Sequence, residues 1–390
     1  MYLPGSNKNP NFQIPVIIEF GTLNTRVGYG GHDCPQAIIP TDYVQKDEDL
    51  QGLDWFSPLL PEKGDHKQFI KNGQIQDWDV VGKFIRNIMK NTLHTQQYDV
   101  PLFLVEPPMQ TRENRIKMVE LMFEECNFSS FYMHKGPLLS SYIFAKDTIL
   151  LIDSGAEGTY IIPIQEGYIN QKALMRTEIG GEYLTKQLSK ILTQKKQIKS
   201  FAKNYDNLSP SLKNWSQMEL IREIKHNQCK LLEFSIDNFN FNDAVDSTVY
   251  DLPDGQKIEL GKEIYEIPEM MFQEIPECNF MGLNNLVRQV IEKVETDQRK
   301  ELIQNIMIVG GNSQTLQFEQ RLQKEITDID IFGLQNKCKT FTPPNKEEKL
   351  YSSWLGASIV GSMNTFDSML MTKRDYEEHG SILIERKILG

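Results

Sequence analysis

The chain has 390 residues, of which 39% are hydrophobic and 24% are charged, and its formal net charge is −11. This length and composition are ordinary for a soluble globular protein and allow one large domain or two domains of ordinary size. The acidic balance argues against unassisted or sequence-specific binding to nucleic acid, because phosphates are bound by basic surfaces.

Apolar runs and turn residues predict strands and helices in alternation. Segments 78–93 and 111–126 place apolar residues on one face at helical spacing, and Thr111 is a candidate N-cap. Pro253-Asp254-Gly255 predicts a hairpin turn. This alternation predicts an α/β protein. The predicted strands lie at 16–19, 26–28, 102–106, 149–152, 160–164 and 306–309.

Two polar stretches, 47–67 and 193–217, interrupt this pattern and are expected to be surface insertions. The densest basic run, KKQIK at 195–199, is expected to be a solvated loop or helix face. The N-terminus carries no apolar signal core, and no apolar run approaches the length of a membrane span. The five cysteines contain no CxxC pair and the six histidines contain no HExxH motif. Together these features predict a reduced intracellular protein without a zinc site.

Two of the predicted hairpin corners share one spacing. Each begins with an acid, Glu19 or Asp153, which is followed by a glycine two residues later and a threonine six residues later. The repeat indicates an internal duplication, and a ligand is expected between the two corners. A tight corner gathers backbone N–H groups into a concavity that suits phosphate, and glycine admits a ligand closer than a Cβ would allow.

These corners predict a nucleotide site. Gly21-Thr22-Leu23 and Ser154-Gly155-Ala156 would grip phosphates from two sides, with Arg26 supplying positive charge. The acid before each turn can hold the waters of a magnesium ion. At a third corner, Gly310-Gly311-Asn312, a base and ribose could lie against the backbone. Each corner alone is more often an ordinary turn, but their order and shared spacing favour a two-lobed fold with a nucleotide in the cleft.

From about residue 15 to residue 387 the chain resembles actin and the actin-related proteins. The similarity is almost residue for residue in YDLPDGQKIELGKEIYEIPEMMFQ (250–273) and in the tail at 351–380. Within that family, RVGYGGHDCPQ (26–36) and LIDSGAEGTYIIPIQEGY (151–168) are most similar to the nuclear actin-related subunits of chromatin-remodelling and histone-acetyltransferase complexes.

The resemblance implies an actin-like fold of the sugar kinase and heat-shock ATPase type, with duplicated mixed-sheet domains around a nucleotide cleft. The first lobe, with subdomains 1 and 2, would contain residues 1–141 and 345–390. The second lobe, with subdomains 3 and 4, would contain residues 142–344. ATP with Mg²⁺ is the implied ligand, and a vestigial pocket without nucleotide is the alternative.

Family positions carry over residue by residue. Asp153 would hold Mg²⁺ through water. Arg222 and Lys225 match basic residues on the adenosine side, whereas without the resemblance they are ordinary exposed helix charges. The implied cofactor-binding residues are Glu19, Gly21, Thr22, Leu23, Arg26, Asp153, Ser154, Gly155, Arg222, Lys225, Gly310, Gly311 and Asn312.

Several positions depart from actin. Glu19 replaces an aspartate, and Ala156 and Glu157 stand where actin has Asp and then Gly. A Glu157 carboxylate at ~4 Å from a phosphate charge would cost about 4 kcal/mol at an effective dielectric constant of ~20, unless it turned outward. Gly136 stands where actin orients the attacking water, and Tyr160 where a histidine assists. Since losing such a group lowers rates roughly 10²–10⁴-fold, little or no ATP hydrolysis and no catalytic residue are expected.

Three functions are compatible with these residues. The first is a non-catalytic structural and regulatory subunit of a nuclear complex, with a groove near 142–144 and 355–369 that docks an amphipathic helix. Its implied partners are the helicase-SANT-associated helix of a remodelling ATPase, monomeric actin, other complex subunits and histones, and no membrane. The second is a cytoplasmic nucleotide-dependent filament or dynactin-type subunit, which the unlike region 41–67 and a shortened loop after MMFQEIPECNF disfavour. The third, a kinase, lacks a catalytic acid and a sugar pocket.

Overall fold

The structure is a computed structural model that describes residues 13–46, 49–52, 59–195, 202–236, 248–252, 255, 257–329, 331, 333–334 and 337–388. These residues group into two compact units. Unit 1 comprises the described residues of Met1–Thr41, Phe69–Ala145 and Tyr351–Gly390. Unit 2 comprises the described residues of Asp42–Gln68 and Lys146–Leu350. Segment 42–68 thus groups with unit 2, although its neighbours along the chain belong to unit 1. The lobe boundaries expected after residues 141 and 344 stay a prediction.

The secondary structure alternates as the sequence predicts. The strands are β1 (Val16–Phe20), β2 (Asn24–Tyr29), β3 (Ala37–Pro40), β4 (Tyr43–Lys46), β5 (Asp49–Gly52), β6 (Asp65–Lys67), β7 (Ile70–Lys71), β8 (Gln74–Ile75), β9 (Leu102–Glu106), β10 (Ser130–Lys135), β11 (Ile149–Ser154), β12 (Thr159–Gln165), β13 (Tyr168–Ile169), β14 (Met175–Thr177), β15 (Thr248–Asp251), β16 (Lys257–Leu260), β17 (Ile306–Val309), β18 (Thr340–Phe341) and β19 (Met371–Thr372). The helices are α1 (Trp78–Asn87), α2 (Arg112–Glu120), α3 (Gly136–Tyr142), α4 (Gly181–Lys195), α5 (Pro210–Gln228), α6 (Glu263–Glu269), α7 (Leu283–Lys293), α8 (Thr296–Gln304), α9 (Phe318–Asp328), α10 (Lys346–Leu350), α11 (Ser352–Gly361), α12 (Phe366–Met369), α13 (Lys373–His379) and α14 (Ile384–Lys387).

The predicted strands are confirmed as β1, β2, β9, β11, β12 and β17. Thr111 caps α2, because its side chain accepts a hydrogen bond from the Asn114 N–H at 3.2 Å. The hairpin predicted around residues 253–255 is confirmed as the antiparallel pair β15 and β16, while Pro253 and Asp254 lie outside the described residues. Strand β10, whose six residues are all buried, was not among the predicted strands.

Each unit contains one large mixed sheet. The strand order is β19-β10-β9-β1-β2-β3 in unit 1 and β13-β12-β11-β17-β18 in unit 2, where β14 also pairs with β12. In each sheet the first hairpin strand, β1 or β11, is antiparallel to the second and parallel to β9 or β17. The two corners therefore occupy equivalent places at the carboxyl end of a parallel strand, where such sheets usually bind ligands. The shared sequence spacing reflects this shared topology.

Helices α4 and α5 of unit 2 hold polar residues of the candidate site in place through their apolar sides. Leu184, Leu188 and Leu192 of α4 lie in the same buried cluster as residues 220, 221 and 224 of α5 and the strands β11 and β17. Because three successive turns of α4 are anchored in this way, the first turn at Gly181 has a fixed position beside the second corner.

The polar stretches expected to be surface insertions contain buried residues where the structure describes them. Leu60 from the first stretch and Leu208, Leu212 and Trp215 from the second form a hydrophobic cluster with Val44. The run at 195–199 lies outside the described residues except for the end of α4. The expectation fails because a few apolar residues, widely separated in polar sequence, show no periodicity and come together only in the tertiary structure.

In unit 1, helices α3 and α11 cross with almost no space between their backbones. The Oγ atoms of Ser140 and Ser352 are 3.0 Å apart. A Cβ on Gly356 would lie 1.8 Å from the Leu139 carbonyl oxygen, so only glycine fits at the crossing. Trp354 of α11 is fully buried, and its indole N–H donates to the Ile17 carbonyl of β1 at 3.4 Å. This crossing fixes α3 beside the sheet.

Replacement of Gly356 by alanine should destabilise the chain by about 3 kcal/mol or more, because the obstructing atom belongs to the backbone and cannot rotate away. Alanine favours a helix over glycine by about 1 kcal/mol, so a net loss of stability in Gly356→Ala must come from the steric clash. Urea unfolding measures the difference. Gly52→Ala, where a Cβ would meet nothing within 4 Å, is the matched control. Equal stability of Gly356→Ala and the unsubstituted chain would contradict the close crossing.

Candidate functional site

The first corner, in unit 1, turns tightly between β1 and β2. The Gly21 N–H donates to the Asn24 carbonyl at 3.1 Å, and a Cβ on Gly21 would lie 2.6 Å from that oxygen. Thr41 braces the turn from outside: its hydroxyl donates to the Gly21 carbonyl at 2.7 Å and its N–H to the Leu23 carbonyl at 2.9 Å. The corner is thus a pre-formed turn in which glycine is required.

The acid and the cation of the first corner pair with each other. Glu19 accepts a hydrogen bond from the Ser353 hydroxyl at 2.6 Å and lies 3.3 Å from the Arg26 Nη1. Arg26, expected to face phosphate, is therefore turned toward the carboxylate. The Glu19 Oε2 and the Arg26 Nε are both buried and have no hydrogen-bond partner among the described residues. One acceptor and one donor remain for a ligand or its water, which fits a phosphate accompanied by a hydrated cation.

The second corner, in unit 2, is held by a denser network. The Gly155 N–H donates to the Gly158 carbonyl at 2.9 Å, and the hydroxyls of Ser154 and Thr159 are 2.8 Å apart. The Thr159 hydroxyl also contacts the Ile179 carbonyl at 2.9 Å. A Cβ on Gly155 would meet nothing closer than 3.7 Å, so the corner has room beside its backbone. The predicted phosphate corner is rigid and open at Gly155.

The third corner packs directly on the second. Gly310 has φ +89°, and a Cβ on it would lie 2.4 Å from the Ser154 carbonyl oxygen. The Asn312 side-chain amide donates to the Ser154 hydroxyl at 3.0 Å and to the Gly155 carbonyl at 2.9 Å. The predicted residues Ser154, Gly155, Gly310 and Asn312 therefore come together, and Asn312 acts as a brace of the corner.

The two basic residues of α5 reach the start of α4. Lys225 is buried and donates to the Gly181 carbonyl at 2.8 Å. Burial, with a smaller contribution from the Arg222 cation, lowers the pKa of Lys225 to about 8. Arg222 donates to the Glu182 carboxylate at 2.6 Å and also pairs with Glu219. Both cations are thus engaged with the helix that lies beside the second corner.

Gly180 and Gly181 belong to this site and were not among the predicted residues. The Gly181 N–H donates to the Gly155 carbonyl at 3.0 Å, and a Cβ on Gly180 would lie 2.4 Å from the Gly158 nitrogen. The signal was available, because a Gly-Gly pair before an amphipathic helix is the pattern used for Gly310-Gly311. These glycines allow α4 to begin against the second corner.

Arg176 was also not among the predicted site residues. It lies on a strand of only three residues, β14, whose sequence contains no recognisable motif. Asp153, Tyr160 and Arg176 are register neighbours on three adjacent strands. The Arg176 guanidinium carbon lies 5.7 Å from the centroid of the Tyr160 ring. Burial raises the pKa of the Tyr160 phenol, so this phenol stays protonated at neutral pH. A protonated phenol is a poor base for activating water.

Gly136, the position expected to lack a water-orienting group, begins α3. A Cβ there would lie 3.2 Å from a Val105 methyl group and 3.3 Å from the Glu106 carbonyl oxygen. The space beside Gly136 is therefore filled by its own unit.

A buried charge cluster ends strands β9 and β10 next to Gly136. Glu106 is fully buried, pairs with Arg115, and leaves its Oε2 without a partner within the described part of the chain. Arg115 also lies 3.4 Å from Glu385. Burial, opposed by the Arg115 and Lys135 cations, raises the pKa of Glu106 to about 7. Among the described carboxyl groups of unit 1, Glu106 is therefore the one that keeps its proton up to neutral pH.

Glu106→Gln should change how stability depends on pH. The folded chain holds the Glu106 proton more tightly than the unfolded chain does. The stability that Glu106 contributes through this proton is therefore fully present below pH 4.5 and is lost as pH rises toward 7. The free energy of unfolding of the unsubstituted chain, relative to Glu106→Gln, should fall by about 2–3 kcal/mol across that window. Urea unfolding at half-unit pH steps measures this, with Glu113→Gln on the exposed side of α2 as control. A flat difference curve would refute it.

In the described ranges no helix is long and apolar enough to span a membrane. Nor does any group of three or more His, Cys, Asp or Glu residues there have the geometry to hold a metal ion directly. Magnesium usually keeps several of its waters and uses one or two carboxylates. Asp153, at the end of β11 beside the second corner, offers one such carboxylate.

Comparison with known proteins gives one consistent relationship. The family model described as Actin matches residues 13–389. Actin-related protein 4 of Arabidopsis thaliana is 29% identical, over 95% of this chain and 98% of that protein. Proteins named actin-related protein 4 from Oryza sativa subsp. indica and subsp. japonica are each 28% identical, with the same coverage. The family match spans both units, and the expected α/β actin-like fold class is confirmed. The chain belongs to the actin family.

Proposed function

We propose that this actin-family chain is a non-catalytic structural and regulatory subunit of a nuclear chromatin-remodelling or histone-acetyltransferase complex. The observation that supports the proposal is that neither position expected to activate water offers a base: Gly136 has no side chain, and burial raises the pKa of Tyr160, which therefore stays protonated. The similarity to proteins named actin-related protein 4 supports the choice of assembly.

The nucleotide in this proposal is ATP with Mg²⁺, held as a structural ligand. Phosphate oxygens would lie beside Gly155, where a Cβ would meet nothing closer than 3.7 Å. Asp153 would hold the waters of the metal, and the Gly310 turn would face the base and ribose. A bound Mg²⁺ would offset the negative charge of the phosphates. That the first corner serves the same ligand stays a prediction, for which the unpartnered Glu19 Oε2 and Arg26 Nε are support.

Gly155→Val should abolish stabilisation by nucleotide without unfolding the chain, because a side chain there fills the open corner, where a Cβ meets nothing closer than 3.7 Å. ATP–Mg²⁺ at ~100 times its dissociation constant should stabilise the unsubstituted chain by about 2.7 kcal/mol. Thermal unfolding with and without ligand measures this, with Gly52→Val as control. Released phosphate should stay at the background rate. An unmoved melting curve would refute an occupied site, and turnover at ordinary enzyme rates would refute the non-catalytic assignment.

The filament and dynactin-type alternative is disfavoured by segment 42–68. In actin this region contacts the neighbouring subunit, whereas here Val44 and Leu60 are buried in the chain's own hydrophobic cluster. Those two apolar side chains already pack within the chain itself and are therefore not available to contact a second copy.

The partner in this proposal is an amphipathic helix, and unit 1 offers it apolar positions on α11. Ile359 and Met363 are 42% and 44% exposed, respectively, and are four residues apart, so they lie on one side of the helix and its continuation. Leu355 is half-buried one turn earlier. An apolar strip with this spacing is suited to a helix that presents its own apolar face.

Ile359→Glu should remove the partner while leaving the fold intact, because the side chain is already exposed. Tagged chain should recover a remodelling ATPase or acetyltransferase subunits and monomeric actin from nuclear extract, identified by mass spectrometry. Ile359→Glu should reduce this recovery about tenfold or more, since a buried charge at a helix interface is costly. Ile38→Glu, at another exposed isoleucine of unit 1, is the matched control. Recovery of dynactin or cytoplasmic filaments instead would overturn the proposal.

A further inference from the structure

The second corner carries two carboxylates at the place where a phosphate is expected. Asp153 lies near the end of β11, and Glu157 lies inside the tight turn that the bond from the Gly155 N–H to the Gly158 carbonyl closes. A phosphate beside Gly155 therefore approaches two like charges, which repel it at short range. Binding of a phosphate at this corner needs a cation close to the turn.

The basic residues that the sequence suggested for this role are engaged elsewhere. Lys225 donates to the Gly181 carbonyl, and Arg222 pairs with two carboxylates. Arg26 belongs to unit 1, where it pairs with Glu19. The cation for the second corner must therefore come from another residue.

Arg176 of β14 lies against the turn itself. Its Nη2 donates to the Glu157 carbonyl at 3.5 Å, and a Cβ on Gly158 would lie 3.6 Å from its Nε. Its guanidinium carbon lies 5.7 Å from the centroid of the Tyr160 ring, an arrangement that attracts a cation. The Arg176 side chain is 18% exposed, whereas Glu178, at 3.9 Å from its Nη1, is 73% exposed and so holds it only weakly.

The Tyr160 phenol shows that these charges act at one place. Asp153, Tyr160 and Arg176 are register neighbours on three adjacent strands, so their side chains share one face of the sheet. Burial raises the pKa of Tyr160, the Arg176 cation lowers it, and the Asp153 and Glu157 carboxylates raise it further. One guanidinium and two carboxylates therefore surround the same ring.

We propose that Arg176, positioned on the Tyr160 ring, offsets the Glu157 carboxylate and supplies the positive charge with which the second corner binds the phosphates of a nucleotide. With Arg176 the charges of Asp153, Glu157 and Arg176 sum to −1, and without it they sum to −2. An arginine suits this role because it stays charged when partly buried and can stack on a ring while its N–H groups donate. This inference rests on the proposed function, which takes ATP with Mg²⁺ as the ligand.

Calorimetric titration of the full chain with ATP–Mg²⁺ tests the role of Arg176. Arg176→Gln should raise the dissociation constant about tenfold or more, because a partly buried charge next to a phosphate is lost. Arg176→Lys keeps the charge and should lose less. Glu157→Gln should lower the dissociation constant about tenfold, since it removes a repelling charge. Arg288→Gln, at an exposed arginine of α7, is the matched control and should bind like the unsubstituted chain.

The double variant Arg176→Gln with Glu157→Gln separates a charge effect from structural damage. It has the same net charge at the corner as the unsubstituted chain and should bind ATP–Mg²⁺ with similar affinity, whereas a damaged corner would not be repaired by a second substitution. Thermal unfolding without ligand checks that each variant folds. Binding by Arg176→Gln equal to that of the unsubstituted chain, or equally weak binding by Arg176→Gln and the double variant, would overturn this inference alone. An unsubstituted chain that binds no ATP–Mg²⁺ would overturn the proposed ligand as well.

Discussion

The backbone contact between the Gly310 turn and the second corner is the constraint on which the rest of the site depends. With the Ser154 carbonyl only 2.4 Å from where a Cβ would stand, β11 and β17 can present their two turns side by side only if residue 310 is glycine. Asn312 then bonds to both Ser154 and Gly155, and α4 closes the other side through Gly181. Lys225 in turn contacts the Gly181 carbonyl. The second corner, the third corner and the start of α4 are thus connected through this one contact.

The same kind of constraint recurs in unit 1, where Gly356 lets α11 cross α3. Both units thus use glycine where two backbones, rather than two side chains, must meet. Elsewhere packing can relax by rotamer changes, but a carbonyl oxygen facing a Cβ has no such freedom. At Gly310 and Gly356, therefore, not even one added carbon can be accommodated.

Much of the fold could be read from the sequence because its signals were local. The spacing shared by Glu19 and Asp153 corresponded to equivalent hairpins, and Thr111 capped α2. The features that could not be predicted from the sequence depend on tertiary contacts. The cluster around Trp215 draws on residues more than 150 positions apart. Arg176 enters the site only because β14 pairs with β12.

The site shows the same division between sequence and structure. Residue types at the corners predicted where phosphate would be held, but the direction in which Arg26 points depends on Glu19 and on Ser353, which comes more than 300 residues later. That pairing has an electrostatic consequence. The first corner is already neutral, so an arriving anion gains little from long-range attraction and must be held by N–H dipoles at close range. Affinity built in this way varies little with ionic strength, because salt screens separated charges far more than adjoining dipoles.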